Sequence, residues 1–309
     1  MKKIALCSLL IFLALIALIP NIFLRLLIFA EAFLLIFYGS IFKKSYGVEW
    51  KNSKEFKPGK IGAYLINLDR AVGRLNFVRT PILALGFPLE RISAIDGKML
   101  SRKKIESIVD LKTYEILFRM SPEVGTIGCS LSHEKTWLKF LESDNEFAII
   151  FEDDVQFDPQ ELSETIKSVV EKKSIWDIAN FETKHWGWPI NISELLSRKH
   201  LVNYLFNVTH AGCYLINRRA ARELLKKFYP IKMPLDHYFT SVWEFDLKFV
   251  GIEPRMVLQK FGGSQIKILN STKRKNPIIL MASAIYNFQR AIYHFTYNFC
   301  CWCRCRNSI

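Results

Sequence analysis

The chain has 309 residues, half of them hydrophobic, enough for one packed core of about 200 residues with appendages, which excludes wholesale disorder. Its net charge of +14 is uneven: residues 1–60 carry nine Lys/Arg against three acids, residues 262–309 seven against none, and 61–261 are near neutral. Basic flanks beside apolar stretches suit an anionic membrane surface and exclude a nucleic-acid face on the folded part.

Lys2 and Lys3 precede an uncharged apolar run from Ile4 to Ile19, then Pro20-Asn21, then a second run from Ile22 to Phe42 interrupted by Arg25 and Glu31. A cleaved signal would end in small residues and a polar mature start. The continuing hydrophobicity predicts an uncleaved N-terminal membrane anchor over 1–44, either one spanning helix or a hairpin turning at Pro20. The first arm covers about 24 Å of a ~30 Å hydrocarbon core. Six lysines follow (Lys43, Lys44, Lys51, Lys54, Lys57, Lys60), against two before. The positive-inside rule therefore sets the basic linker, 45–60, and the domain after it on the cytoplasmic face. Sequons at Asn191, Asn207 and Asn270 keep a Golgi or ER lumen as the alternative.

Over 61–262 strands alternate with helices. Ile61–Asn67 reads as a buried strand, and Arg70–Leu85 has helical spacing that Pro81 should bend or break. Leu89–Ile95 is the next strand, Ile127–Leu141 a helix and Phe147–Phe151 a third strand. Trp176–Phe181, Gly212–Ile216 and Met256–Gln259 follow as strands, with Arg218–Phe228 a helix. This alternation predicts an α/β domain with a mainly parallel sheet. Ligands of such sheets bind at the carboxyl ends of strands, which picks out Asn67–Arg70, Asp96-Gly97 and Glu152-Asp153-Asp154. The tail, 263–309, is basic, aromatic and Cys-rich, and its Ile278–Phe299 stretch predicts a helix lying on the membrane or on the core. Cys300, Cys301, Cys303 and Cys305 lack a second ligand pair at zinc-finger spacing, and acylation is the competing reading.

Three carboxylates in a row after a buried strand repel one another unless a cation relieves them. Oxygen-rich sites suit Mn²⁺ or Mg²⁺. Alternation along an extended segment predicts Glu152 and Asp154 on one side and Asp153 on the other. Asp154 is assigned to the metal, and Glu152 to the metal or a donor ribose. The bland alternative is an acidic turn capping a helix that starts near Pro159.

Six segments in order then carry a resemblance: 63–70 (AYLINLDR) with Arg74, 91–97 (RISAIDG), 128–133 (GCSLSH), 150–155 (IFEDDV), 211–216 (AGCYLI) and 234–236 (PLD). Over about two-thirds of its length the chain resembles glycosyltransferase family 25, which includes lipooligosaccharide and collagen galactosyltransferases. The resemblance implies a GT-A-type nucleotide-sugar-binding domain with a mainly parallel mixed sheet. It further implies a UDP-sugar donor, a hexose (galactose first) moved with inversion, and a glycan or lipid-linked glycan acceptor such as lipopolysaccharide. The Glu-Asp-Asp cluster departs from a strict Asp-x-Asp pattern.

Within that frame a metal-bridged diphosphate leaves as UDP, and an inverting displacement needs a base for the acceptor proton. Asp236 is the candidate base, with helix capping as its alternative. Arg70 and Arg74 suit the diphosphate; Asn67, Asp69 and Asp96 suit uridine and ribose. Ala94, Gly97, His133 and Asp153 complete the donor side of the matching segments. Solvated helix charges, turn caps and a structural histidine are the alternatives. Trp186-Gly187-Trp188 reads first as core packing, second as a sugar-stacking platform. Two other classes stay open: a metal-dependent hydrolase or phosphodiesterase, and a non-catalytic membrane scaffold. So does a collagen-type protein glycosyltransferase in a secretory compartment.

Overall fold

The computed structural model describes residues 60–185, 187–260 and 276–306. The chain divides into two units, Met1–Phe56 and Lys57–Ile309, and every described residue belongs to the second. The expected anchor and the linker up to residue 59 lie outside the described residues. Among the described residues no helix is long and apolar enough to cross a membrane.

Eight strands form the central sheet: β1 (Ile61–Asn67), β2 (Leu89–Ser93), β3 (Phe147–Glu152), β4 (Ile178–Asn180), β5 (Pro189–Glu194), β6 (His200–Tyr204), β7 (Cys213–Asn217) and β8 (Phe249–Glu253). Their spatial order is β2-β1-β3-β7-β4-β8-β6-β5. β1 pairs in parallel with β2 and β3, and β4 with β8. β7 runs against β3 and β4, and β6 against β8 and β5. Six strands thus share one direction, as a mainly parallel sheet requires, while β6 and β7 are reversed.

The helices are α1 (Val72–Leu83), α2 (Arg102–Ile108), α3 (Leu111–Phe118), α4 (Val124–Glu142), α5 (Pro159–Glu171), α6 (Arg218–Lys226), α7 (Leu235–Thr240) and α8 (Pro277–Arg306). The apolar runs of β1 and β3 are continuous because both faces are covered. Tyr64, Ile66, Ala148 and Ile150 pack with Leu131, Trp137 and Phe140 of α4 and Leu224 of α6. Ala63, Leu65, Phe147, Ile149 and Phe151 pack on the other face with Val78 and Ile82 of α1 and Leu162, Ile166 and Val169 of α5. Truncating one of these, Phe151→Ala, costs about 3–5 kcal/mol.

Several expected boundaries shift. Pro81 sits inside α1 without breaking it, because it falls in the last turn and the helix stops two residues later. The strand expected at Trp176–Phe181 shrinks to β4, and the one at Met256–Gln259 stays outside the sheet, pairing Leu258–Gln259 with Val155–Gln156. Asp158, not the Glu-Asp-Asp cluster, caps α5: its Oδ1 accepts from the Glu161 N–H at 2.8 Å with Pro159 at the first turn. Trp188 is 68% exposed, which removes the core-packing reading for it; Trp186 lies outside the described residues. The tail helix α8 rests on the domain, its Ser283, Arg290, His294 and Asn298 buried.

Candidate active site

β1, β2, β3 and β4 end on one edge of the sheet, and the reversed β7 starts there, so the residues after four strands and before a fifth converge. Asn67 closes β1, fully buried; its Nδ2 donates to Asp153 Oδ2 at 2.7 Å and its Oδ1 accepts from Arg91 at 3.0 Å. Arg91 also pairs with Asp69 at 2.5 Å, and Ser93 Oγ donates to Asp69 Oδ2 at 2.7 Å. Those two hydrogen bonds, Ser93 first, hold the Asp69 carboxyl below its ordinary range. Arg70 pairs with Asp96, which also accepts from the Lys98 N–H. Asn67, Asp69, Arg70 and Asp96 are therefore brought together, as expected, in a belt of charge-assisted bonds.

Ala94 and Gly97 have a different local role. The Ala94 N–H donates to Asn67 O at 3.0 Å, extending the β1–β2 pairing. A Cβ on Gly97 would collide with the Val124 carbonyl, and one on Gly128 with the Ile95 carbonyl and the Gly97 backbone. The two glycines let α4 start directly against this loop.

The expected alternation of the acidic cluster fails. β3 ends at Glu152 and the chain turns at Asp153-Asp154, so strand geometry no longer sets the side-chain directions. Asp153 Oδ1 and Asp154 Oδ2 both meet Arg74 Nη2, at 2.5 and 2.8 Å. Glu152 turns instead to α4, where Cys129 Sγ and His133 Nε2 lie 3.7 and 3.3 Å from its Oε1. These three side chains are close enough to share a metal. Behind them Trp137 Nε1 donates to Tyr214 OH at 2.9 Å, and that hydroxyl lies 2.8 Å from His133 Nδ1. A tautomer in which Nδ1 accepts from Tyr214 and Nε2–H donates to Glu152 satisfies all four groups.

Three residues of the site carried no weight in the sequence: Asn180, Glu182 and His210; Asn180 joins the other two, its Nδ2 donating to His210 O and its Oδ1 accepting from the Glu182 N–H, both at 2.8 Å. Glu182 is 1% exposed. Its Oε2 accepts from the Gly212 N–H at 2.7 Å and its Oε1 lies 3.0 Å from His210 Nδ1. A Cβ on Gly212 would collide with that carboxylate. His210 holds a left-handed backbone, φ +79°, and its N–H donates to Asp236 Oδ2 at 3.2 Å. The other Asp236 oxygen accepts from the His237 N–H at 2.9 Å. Pro234, not Asp236, is the N-cap of α7, so the simple capping alternative does not hold. Burial pushes Glu182 up, and the Glu182 hydrogen bond raises His210.

Among the described residues, this edge has more carboxylates than cations. Asp154 is 7% exposed and its Oδ1 is buried without a hydrogen-bond partner among the described residues. Burial first, then the charges of Glu152, Asp153 and Glu182, push its carboxyl up to about 7 despite Arg74. A buried carboxylate oxygen that lacks a donor, with three more carboxylates around it, fits a divalent cation.

Residues 60–239 match the family description "Glycosyltransferase family 25 (LPS biosynthesis protein)". The chain belongs to glycosyltransferase family 25. It is 29% identical over 195 residues to a "Glycosyltransferase 25 family member" of Anopheles gambiae, covering 59% of this chain and 31% of that protein. It is 25% identical over 214 residues to "Procollagen galactosyltransferase 1-B" of Xenopus laevis, 63% of this chain and 35% of the other. It is also 24% identical over 244 residues to "Probable inactive glycosyltransferase 25 family member 3" of Bos taurus, 72% and 41%. The chain thus matches 31–41% of the length of these relatives. The family match covers the whole acidic edge, from β1 through Asp236.

Proposed function

We propose that this family 25 chain is an active, inverting, GT-A-type hexosyltransferase that moves galactose from UDP-galactose to a hydroxyl of a glycan or lipid-linked glycan. The observation that carries this reading is the partnerless, buried Oδ1 of Asp154 amid Glu152, Asp153 and Glu182. Asp154 and Glu152 would hold Mn²⁺ or Mg²⁺, which when bound supplies Lewis-acid stabilisation of the diphosphate leaving group. Arg74 is already turned to this spot, so its guanidinium can pass from Asp153 and Asp154 to an incoming phosphate oxygen. Arg70 flanks it from the turn just before α1. Asp69 and Asp96 offer acceptors to ribose and base at the ends of β1 and β2, and the buried Asn67 positions Arg91 and Asp153 beside them. Tyr214 and Trp137 lock His133 so that it orients Glu152. Asp236, held by two backbone N–H groups, removes the acceptor proton.

The lipid-linked acceptor accords with the family description's lipopolysaccharide term, and the N-terminal anchor with a cytoplasmic-face enzyme. A protein acceptor in a secretory lumen is the second reading, favoured by the procollagen relative. Of the sequons, Asn207 has its amide engaged on both sides, Oδ1 accepting from Thr240 and Arg290 and Nδ2 facing His237, so a glycan at that one position would undo the network. The test is UDP release from UDP-galactose and other UDP-sugars by the full-length chain, with Mn²⁺ or EDTA. Mn²⁺-dependent UDP release with galactose preferred is expected. Release unaffected by EDTA removes the metal, and no release from any UDP-sugar removes the transferase.

A further inference from the structure

Helix α8 is built inside out. A helix packed on a domain normally turns its apolar stripe inward and its polar residues to water. In α8 the inward stripe is Ser283, Arg290, His294 and Asn298, all buried. Each is tied to the domain: Ser283 Oγ donates to Leu117 O at 3.3 Å and His294 Nδ1 to Leu205 O at 3.2 Å. Asn203 Nδ2 donates to Asn298 O at 3.2 Å, and Arg290 Nη2 to His237 O at 2.7 Å and Ser241 Oγ at 3.1 Å. These bonds fix the rotation of the helix about its axis, so the opposite stripe must face outward.

That outward stripe is apolar. Met281, Phe288 and Phe299 are 63%, 52% and 42% exposed. Phe295 lies between the last two; its ring stacks on Phe299 with centroids 5.9 Å apart and meets Phe206 of the domain at 5.8 Å. Phe299 in turn meets Trp302 at 5.8 Å. The ridge follows a helix of 30 residues, about 45 Å long. Contiguous exposed apolar surface of this kind marks an interaction site.

We propose that this ridge seats on the headgroup–acyl boundary of an anionic bilayer, with α8 lying along the surface. Charge selects this occupant. Residues 262–309 hold seven basic residues and no acid, with Lys273-Arg274-Lys275 just before the helix and Arg304 and Arg306 at its end. A second copy would oppose like charges at both ends of the ridge. So would residues 1–44, whose sole acid is Glu31 against Lys2, Lys3, Arg25, Lys43 and Lys44. Anionic headgroups match both ends at once. Because Arg290 bonds to His237, next to Asp236, seating the ridge also fixes the height of the candidate site above the lipid. This inference deepens the membrane reading above but rests on residues 276–306 and their flanks, independent of whether 1–44 crosses the bilayer or of which sugar is moved.

The test replaces Phe288, Phe295 or Phe299, one at a time, by p-benzoylphenylalanine in the full-length chain. Each variant is reconstituted in phosphatidylcholine nanodiscs with and without phosphatidylglycerol, irradiated, and its cross-links are identified by mass spectrometry. Lipid adducts are expected at all three positions and not at Leu138, an exposed residue of α4. Their yield should rise about fivefold or more with phosphatidylglycerol, the effect of at least one surface-facing charge, and fall back in Arg304→Glu/Arg306→Glu. Cross-links to residues 1–44 or to a second copy overturn the proposal. So do equal adducts on both lipids, or adducts at Leu138 matching those on the ridge.

Discussion

Two regions of this protein bury polar side chains, and they do so in opposite ways. Under α8, Arg290, His294 and Asn298 are 7%, 2% and 3% exposed and meet donors and acceptors of the domain, with Arg290 Nε and Asn203 Oδ1 left without a partner among the described residues. At the carboxyl edge, Asp153 and Asp154 are equally buried, yet among the described residues carboxylates outnumber the cations facing them and Asp154 Oδ1 has no partner. Burial alone therefore does not mark a functional residue. The first region surrounds one guanidinium with neutral acceptors and holds two elements together; the second gathers like charges that raise one another's pKa. A buried polar group without a partner costs about 1–3 kcal/mol, and the carboxyl edge keeps that cost where the domain could have filled it.

The sharpest break in this contrast comes from Asp154→Asn. It keeps an acceptor for Arg74 and removes the charge, so the fold should hold while transfer falls by about 10³-fold or more, about 4 kcal/mol of transition-state stabilisation. Mn²⁺ should raise the melting temperature of the wild type and not of the variant. A variant that melts early instead would make Asp154 a structural acid like those under α8. Next in size, Arg290→Met removes one donor each from the His237 carbonyl, Ser241 and Asn207 and should cost about 3 kcal/mol of stability in denaturant titrations. Its UDP-sugar affinity should change by less than about threefold; a selective loss of donor binding would blur the line between the two regions. Asp236→Asn comes third. As the base, it should lose about 10²-fold in turnover, about 2.7 kcal/mol, at nearly unchanged donor affinity. Loss of donor affinity instead would move Asp236 to the nucleotide side.

The sequence made the carboxyl edge legible in part. Long apolar runs such as 61–67 and 147–151 announce both-face burial, and the turns after them then fall on one edge by the rule for parallel sheets. Asn67, Asp69, Asp96 and the acidic cluster were found that way. Glu182 and His210 were not, although both stand at the same edge. β4 has only three residues, too few for a periodicity to show where it ends and Glu182 begins. His210 reaches the edge because β7 runs backwards, and strand direction is not written in the residues of the strand. The side-chain alternation assumed for Glu152-Asp153-Asp154 failed at a turn whose position depends on the pairing of β3 with β7. Helix α8 was legible as a helix but not as inside out, since its polar stripe is short of charges and hidden among aromatic residues; only the docking partners on α3, α7 and β6 reveal which face turns inward.

The smallest effect tests how the α8 interface responds to protonation. His294 is buried against Leu205 O with Arg290 one turn away and Trp243 beside it, and burial first, then the Arg290 charge, pull its pKa down to about 4. His237, across the interface, is lowered by burial and Arg290 as well. An unfolded histidine titrates near 6.5. Between these values the unfolded chain binds a proton that the folded one refuses, so stability is full above about 6.5 and falls as the pH drops toward 4. For His294 alone the loss between pH 7 and pH 5 comes to about 2 kcal/mol, with His237 adding in the same direction. His294→Asn keeps a donor near the Nδ1 position and cannot titrate. Its stability should therefore lose about 2 kcal/mol less than the wild type's over that range, read from denaturant midpoints at pH 7, 6 and 5. Parallel slopes for the two proteins would mean that acid acts elsewhere, and that the interface under α8 accepts a charge as readily as the carboxyl edge does.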